Sequence, residues 1–274
     1  DFCLSRGLGD VYKRQVFGSV EVRTKLALKL LKTFGREDIP VGMGIGKPLL
    51  ERFYRADARN RVPNQAAVLL DSDVLPQPSP RHAVDLIIST VMAARGKITL
   101  IPVGSLTNIA VAIVKEPRLV ERAELVVMGG VVSQPIAEHN IRCDPEAAEI
   151  VFGSGIPMTM VGLDVTRKCF LGKEDVSRLE SRGLATTDLL ADMLRAWRGG
   201  KERYPILHDP LAVAVSFDST LVEMRLKLVK VETKGDFTRG FTLALDGEKP
   251  NVQVCVDVDS GRFIKLFMNR ILGE

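Results

Sequence analysis

Three short stretches of this chain bring together residue types that can do chemistry. The first is Ala137-Glu138-His139-Asn140-Ile141-Arg142-Cys143-Asp144-Pro145, a little after the pair Gly129-Gly130. A carboxylate and an amide two residues apart point the same way in an extended segment, a workable grip on neighbouring hydroxyls of a sugar. The plainer reading is a solvated loop that caps a helix. The second stretch is Leu207-His208-Asp209-Pro210-Leu211-Ala212, an imidazole and a carboxylate ahead of an apolar helix with proline at its start. Read in isolation, Asp209 is a helix cap. The third, Ile101-Pro102-Val103-Gly104-Ser105-Leu106-Thr107-Asn108, is a strand end whose free backbone carbonyl could serve a metal; alone it is a tight turn between strand and helix.

The elements that must position these residues follow from the apolar pattern. Short apolar runs alternate with longer helical ones, which predicts βαβ units and an α/β fold, a mostly parallel sheet flanked by helices. Residues 97–103 read as a buried strand, ended by Gly104-Ser105 before a helix that Ser105 or Thr107 would cap. Residues 124–128 with Gly129-Gly130, and residues 157–164, repeat the theme. Between them, residues 82–95 carry Val84, Ile87, Ile88 and Val91 at helical spacing, His82 taking a structural place at the start. Pro145 takes a first helical position after Asp144. Each strand thus delivers its C-terminal end to a loop of glycine and polar residues, where open α/β sheets place ligands. In the last fifth, residues 226–232, 240–245 and 251–258 alternate as half-exposed strands, and residues 261–272 close as a helix with Phe263, Leu266 and Phe267 inward. These are extra strands of the same domain.

Bulk properties narrow the function classes. With 46% hydrophobic and 26% charged residues the chain is ordinarily globular, and its net charge of +4 is scattered rather than gathered in basic runs, which argues against nucleic acid as a partner. Cys3, Cys143, Cys169 and Cys255 are too widely spaced for a zinc site or a disulfide framework, so reduced thiols in a cytoplasm are expected. No run approaches the ~18 apolar residues of a membrane span, and no secretory signal opens the chain. A soluble cytoplasmic protein is the expectation. No strand is followed by Gly-x-Gly-x-x-Gly, which weakens a dinucleotide-binding enzyme as an alternative.

Taken together and in order, the three stretches resemble the nucleoside hydrolase family, inosine-uridine preferring members included, and the likeness runs from about Val20 to the C-terminus. Met128-Gly129-Gly130, Met160-Val161-Gly162-Leu163-Asp164-Val165-Thr166, Asn251-Val252-Gln253-Val254 and Arg262-Phe263 support it. The resemblance implies hydrolysis of the N-glycosidic bond of ribonucleosides to base and ribose, assisted by calcium at the strand ends. It makes Asp209 a calcium ligand near the 3′ hydroxyl and gives the Val103 backbone carbonyl to the same ion. Asn140 would hold the diol, Glu138 the 5′ hydroxyl, and His208 would be the proton donor to the departing base. Trp197 and Tyr204 lie where the family has mobile helices over the base and are candidates for base contact, although a lone Trp on a helix is more often core. His139 flanks the ribose motif as a supporting residue. The resemblance further implies a free ribonucleoside as partner and a homodimer or homotetramer as the assembly.

The sequence also departs from that family. The aspartate cluster expected at a first strand has no counterpart before Val20; Asp10 is the nearby carboxylate, and the Gly-Asn expected near residues 16–19 is at best Gly18-Ser19. The Asn expected ahead of Glu138 falls on Val132. Residues 1–15 show neither helical nor strand period and read as a non-native leader, leaving 16–274 as one N-terminally truncated domain that starts in earnest with an amphipathic helix through Val22, Leu26, Leu28 and Leu31. Little or no activity is therefore expected of the 274 residues as they stand. A protein that keeps the scaffold but only binds a nucleoside, or serves in an assembly, is the alternative.

Overall fold

The computed structural model describes residues 19–50, 62–247 and 249–274; the expectations for residues 1–15, Asp10 and Gly18 lie outside them. Helix α1, Val20–Thr33, starts where the Ser19 side chain accepts a hydrogen bond from Val22 N, and it turns Leu28 and Leu31 onto Ile39 and Val41. Lys29 Nζ fastens it to the next segment, reaching the Asp73 carboxylate at 2.7 Å and the Val68 carbonyl at 2.6 Å.

From there the chain winds α2 (Ala83–Ala93), β1 (Ile98–Leu100), α3 (Thr107–Lys115), α4 (Leu119–Arg122) and β2 (Ala123–Met128). Two helices, α5 (His139–Cys143) and α6 (Pro145–Phe152), lead to β3 (Met158–Val161). Four more follow: α7 (Leu163–Thr166), α8 (Lys173–Ser181), α9 (Ala185–Arg198) and α10 (His208–Val215). The chain closes with β4 (Val222–Val231), β5 (Thr242–Leu245), β6 (Val252–Val258) and α11 (Ser260–Leu272). The six strands form one sheet in the order β1-β2-β3-β6-β4-β5. Its first three pairings are parallel, β3 meeting β6 at Thr159–Gln253 and Met160–Val254, and the last two are antiparallel. The alternating strands of the last fifth thus complete the same sheet.

Strand β2 shows why the sheet is covered on both sides. Leu125 and Val127 point into a core shared with α2, α3 and α6, while Val126 and Met128 point into a second core with α10 and α11. A parallel strand buried on both faces reads as a continuous apolar run, which residues 124–128 are. Helix α7 takes in Leu163 and Asp164, the last two residues of what the sequence reads as one strand over 157–164. Gly162 ends the extended run, and the amides of Val165 and Thr166 turn back onto the Gly162 carbonyl. His82 caps α2, its Nδ1 accepting from Val84 N at 3.2 Å. Among the described residues no helix is long and apolar enough to cross a membrane.

Candidate active site

The C-terminal ends of β1, β2 and β3 point one way, and the loops after them carry the residues singled out above. The loop after β2 turns at Gly130, which has φ of +78°; a Cβ there would lie 2.5 Å from Met160 Cε, the movable end of that side chain, so it is the backbone angle that calls for glycine. Two devices hold this loop down. Asp164 of α7 accepts from Val132 N at 3.1 Å and Ser133 N at 2.9 Å, and buried Thr242 Oγ1 donates to Val131 O at 2.7 Å.

On that support stands Glu138, 4% exposed. It caps α5: its Oε2 accepts from Asn140 N at 2.9 Å and Ile141 N at 3.2 Å, and from Gly130 N across the loop at 3.1 Å. The segment is therefore a helix start, not the extended run expected, because the carboxylate gathers amides that an extended chain would point apart. Burial pushes the Glu138 carboxyl above the usual carboxylate range, against the pull of those amides.

Asn140 lies one turn in. Its Nδ2 donates to the Val103 carbonyl at 3.3 Å and to the Met128 carbonyl at 3.0 Å, joining the ends of two strands and one helix. Both amide hydrogens are thereby engaged, so the side chain presents its Oδ1, an acceptor, to whatever enters. The Val103 carbonyl keeps its second lone pair. Glu138, Asn140 and Val103 are thus brought into one group by direct contact.

His208 and Asp209 open α10, which packs on β2. The cap position falls to Leu207, with no side-chain cap bond, so Asp209 is not the helix cap that its sequence position suggests. His208 Nδ1 lies 2.7 Å from Thr166 Oγ1, at the end of α7. Burial, followed by the nearby Arg167 cation, holds the imidazole below its ordinary pKa, so it is largely neutral near pH 7.

The remaining candidates keep their contacts elsewhere. Trp197 is half-buried on α9 under the Arg203 guanidinium, 3.9 Å from the ring centroid. Tyr204 donates to Glu202 at 3.2 Å and borders a groove of about 500 Å³ between α8 and α9 with Lys173 and Arg195. His139 Nε2 lies 3.6 Å from Cys143 Sγ.

Two positioning residues were missed. Thr166 occurs in a quoted motif but offers no spacing signal. Asp144, read only as the entry to α6, is wholly buried and accepts from Ala147 N at 3.1 Å, Leu49 N at 2.9 Å and Thr107 Oγ1 at 2.6 Å. Thr107 and Ser105 therefore do not cap α3; their hydroxyls form a chain onto Asp144. Asp144 ties the loop after Val103 to the helix that carries Asn140.

As a cation site the donor chemistry suits a hard ion, a carboxylate at Asp209 and a carbonyl at Val103. The number is short: among the described residues no three of His, Cys, Asp and Glu gather as a metal site.

Comparison with known proteins shows what the whole chain is similar to. The sequence profile described as "Inosine-uridine preferring nucleoside hydrolase" fits residues 15–265. The chain is 37% identical to the pyrimidine-specific ribonucleoside hydrolase RihA of Citrobacter koseri over 89% of its own length and 83% of the relative's. It is 36% identical to RihA of an Escherichia coli O1:K1 strain, with the same coverage. Among solved structures, the purine-preferring ribonucleoside hydrolase from Gardnerella vaginalis superposes with a TM-score of 0.76 at 31% identity, over 92% of this chain and 86% of that one. The plant nucleoside hydrolase PpNRh1 gives 0.78 at 26% identity, over 93% and 87%. With its strand-end site and a profile match over most of its length, the chain belongs to the nucleoside hydrolase family.

Proposed function

We propose that the site cleaves the N-glycosidic bond of ribonucleosides, giving free base and ribose. One observation carries this reading: Asn140 has both amide hydrogens on strand-end carbonyls, which aims an acceptor outward beside the Val103 carbonyl. An acceptor so fixed suits the hydroxyls of a ribose diol. Glu138 next to it would receive the 5′ hydroxyl. As the bond to the base breaks, the sugar gains oxocarbenium character, and oriented oxygens around it stabilise the positive charge. His208 meets the departing base with an N–H; Trp197 and Tyr204 are its candidate contacts.

A calcium ion belongs to the same reading, with Asp209 and the Val103 carbonyl as its protein ligands. Bound there, it would hold ribose hydroxyls and acidify a water. Asp209 and Val103 would be two of the six to eight oxygen ligands such an ion takes, with water and the ribose hydroxyls among the others. A cytoplasmic homodimer or homotetramer acting on free ribonucleosides completes the proposal.

The test is release of base and reducing sugar from inosine, uridine and cytidine with and without calcium. Calcium-dependent release that Asp209→Ala abolishes supports the hydrolase. Nucleoside binding by calorimetry with no release at any calcium concentration overturns it in favour of a binding protein.

A further inference from the structure

Buried Thr187 and Thr242 hand their hydroxyl hydrogen to a backbone carbonyl, that of Leu184 and of Val131, and buried Thr107 hands its own to the Asp144 carboxylate. Thr166 is an exception. Its side chain is wholly buried at the end of α7, and its hydroxyl makes a single hydrogen bond, to His208 Nδ1 at 2.7 Å.

That bond can run in either direction, and the surroundings decide which. If Nδ1 carried the ring hydrogen, Oγ1 would accept it and the hydroxyl's own hydrogen would be stranded away from water. A buried donor without an acceptor costs about 1–3 kcal/mol. If the hydroxyl donates, its hydrogen lies on the Nδ1 lone pair and nothing is stranded, because an oxygen with unused lone pairs costs less than an unmade O–H bond. The neutral ring must then carry its hydrogen on Nε2. Nε2 has no hydrogen-bond partner among the described residues, nor is it a buried unpartnered atom, so it is open to the solvent side.

We infer that Thr166 is the positioning residue of His208: its hydroxyl donates to Nδ1, locks the imidazole ring, and leaves a hydrogen-bond donor on the accessible Nε2. For catalysis the inference rests on the reading of His208 given above. In that role Thr166 ensures that a leaving base meets an N–H rather than a lone pair, so the nitrogen or oxygen that gains electrons as the bond breaks is stabilised.

The experiment is direct because the chain has only three histidines. Selectively ¹⁵N-histidine-labelled protein, held at about pH 8.5 where ordinary imidazoles are neutral, is examined by long-range ¹H–¹⁵N correlation, which distinguishes a protonated ring nitrogen from a bare one. His82, whose Nδ1 accepts from Val84 N, is the internal reference for an intact fold. His208 should show its hydrogen on Nε2 in the wild type and in Thr166→Ser. In Thr166→Val, which removes the donor and keeps the shape, the ratio of Nε2–H to Nδ1–H should fall by about five- to tenfold, the worth of one buried hydrogen bond, with the His82 signals unmoved. A wild type carrying the hydrogen on Nδ1 overturns the inference. So does a Thr166→Val spectrum identical to the wild type. The readout needs no turnover: if the tautomers behave as stated while no nucleoside is cleaved, the hydrolase reading fails and the positioning stands.

Discussion

Replacing Asp144 tests whether the buried tie behind the site is what holds it. Asp144→Ala removes the acceptor for three donors, Ala147 N at 3.1 Å, Leu49 N at 2.9 Å and Thr107 Oγ1 at 2.6 Å. Loss of the α6 cap is worth about 1 kcal/mol. The Leu49 amide loses its side-chain acceptor and the Thr107 hydroxyl keeps only Ser105 Oγ at 3.1 Å, at up to about 1–3 kcal/mol each. Against this, burial already holds the Asp144 carboxyl above the usual carboxylate range, so the wild type carries a desolvation cost that the variant lacks. The net loss should be about 2–4 kcal/mol. Asp144→Asn keeps an oxygen for the Ala147 amide but turns an amide nitrogen toward Leu49 N, and should lose about half as much. The assay is equilibrium urea unfolding, with Thr107→Val as the second arm of a double-mutant cycle and a coupling of about 1 kcal/mol expected between neighbours that share a bond. If Asp144→Ala costs less than about 1 kcal/mol, or the cycle shows no coupling, the tie is not what fixes the loop after Val103.

Other outcomes follow from the same geometry. His208→Ala should slow the cleavage of inosine or uridine roughly a hundredfold or more yet leave a p-nitrophenyl riboside nearly untouched, since that leaving group needs no proton; equal slowing of both would refute the acid assignment. Asp209→Ala should weaken calcium and ribose binding whatever base is attached, measured by calorimetry, and a base-dependent effect would count against it. The thiols of Cys143, Cys169 and Cys255 are pushed by burial to about 12, 11 and 12, so few thiolates exist at pH 8. Alkylation of each by iodoacetamide, followed by peptide mass spectrometry, should run at least a hundredfold slower than for an ordinary thiol of pKa about 8.5.

The sheet was legible because its parallel strands must be apolar on both faces. Residues 97–103 and 124–128 could be little else. Boundaries were blurred where a strand end and a short helix share apolar residues, as when Leu163 and Asp164, the start of α7, were taken into the strand before it. The site was legible in types but not in posture. Glu138 and Asn140 were singled out through their spacing in an extended chain, whereas they stand at a helix start whose cap is Glu138 itself. Thr166 and Asp144 were missed for one reason: each acts through a partner about 40 residues away, His208 for the one and Thr107 for the other. Pattern within a window of ten or twenty residues carries no trace of such a pair. The alternation over 251–258 suggested a half-exposed strand, yet β6 lies inside the sheet between β3 and β4, with Val252, Val254 and Cys255 buried.

That placement of β6 has a consequence for how the molecule comes into being. On a ribosome, β1, β2 and β3 emerge early and can align side by side, but the flank of β3 stays unpaired until residues 252–258 have been made and threaded in beside it. Contacts across nearly a hundred residues, Thr159 to Gln253, have to wait for that moment. Long separations of this kind slow folding and leave a strand edge exposed to other chains in the meantime. The nascent protein should therefore depend on chaperones over its last stretch of synthesis, and stalled chains ending before residue 252 should aggregate through the naked edge of β3.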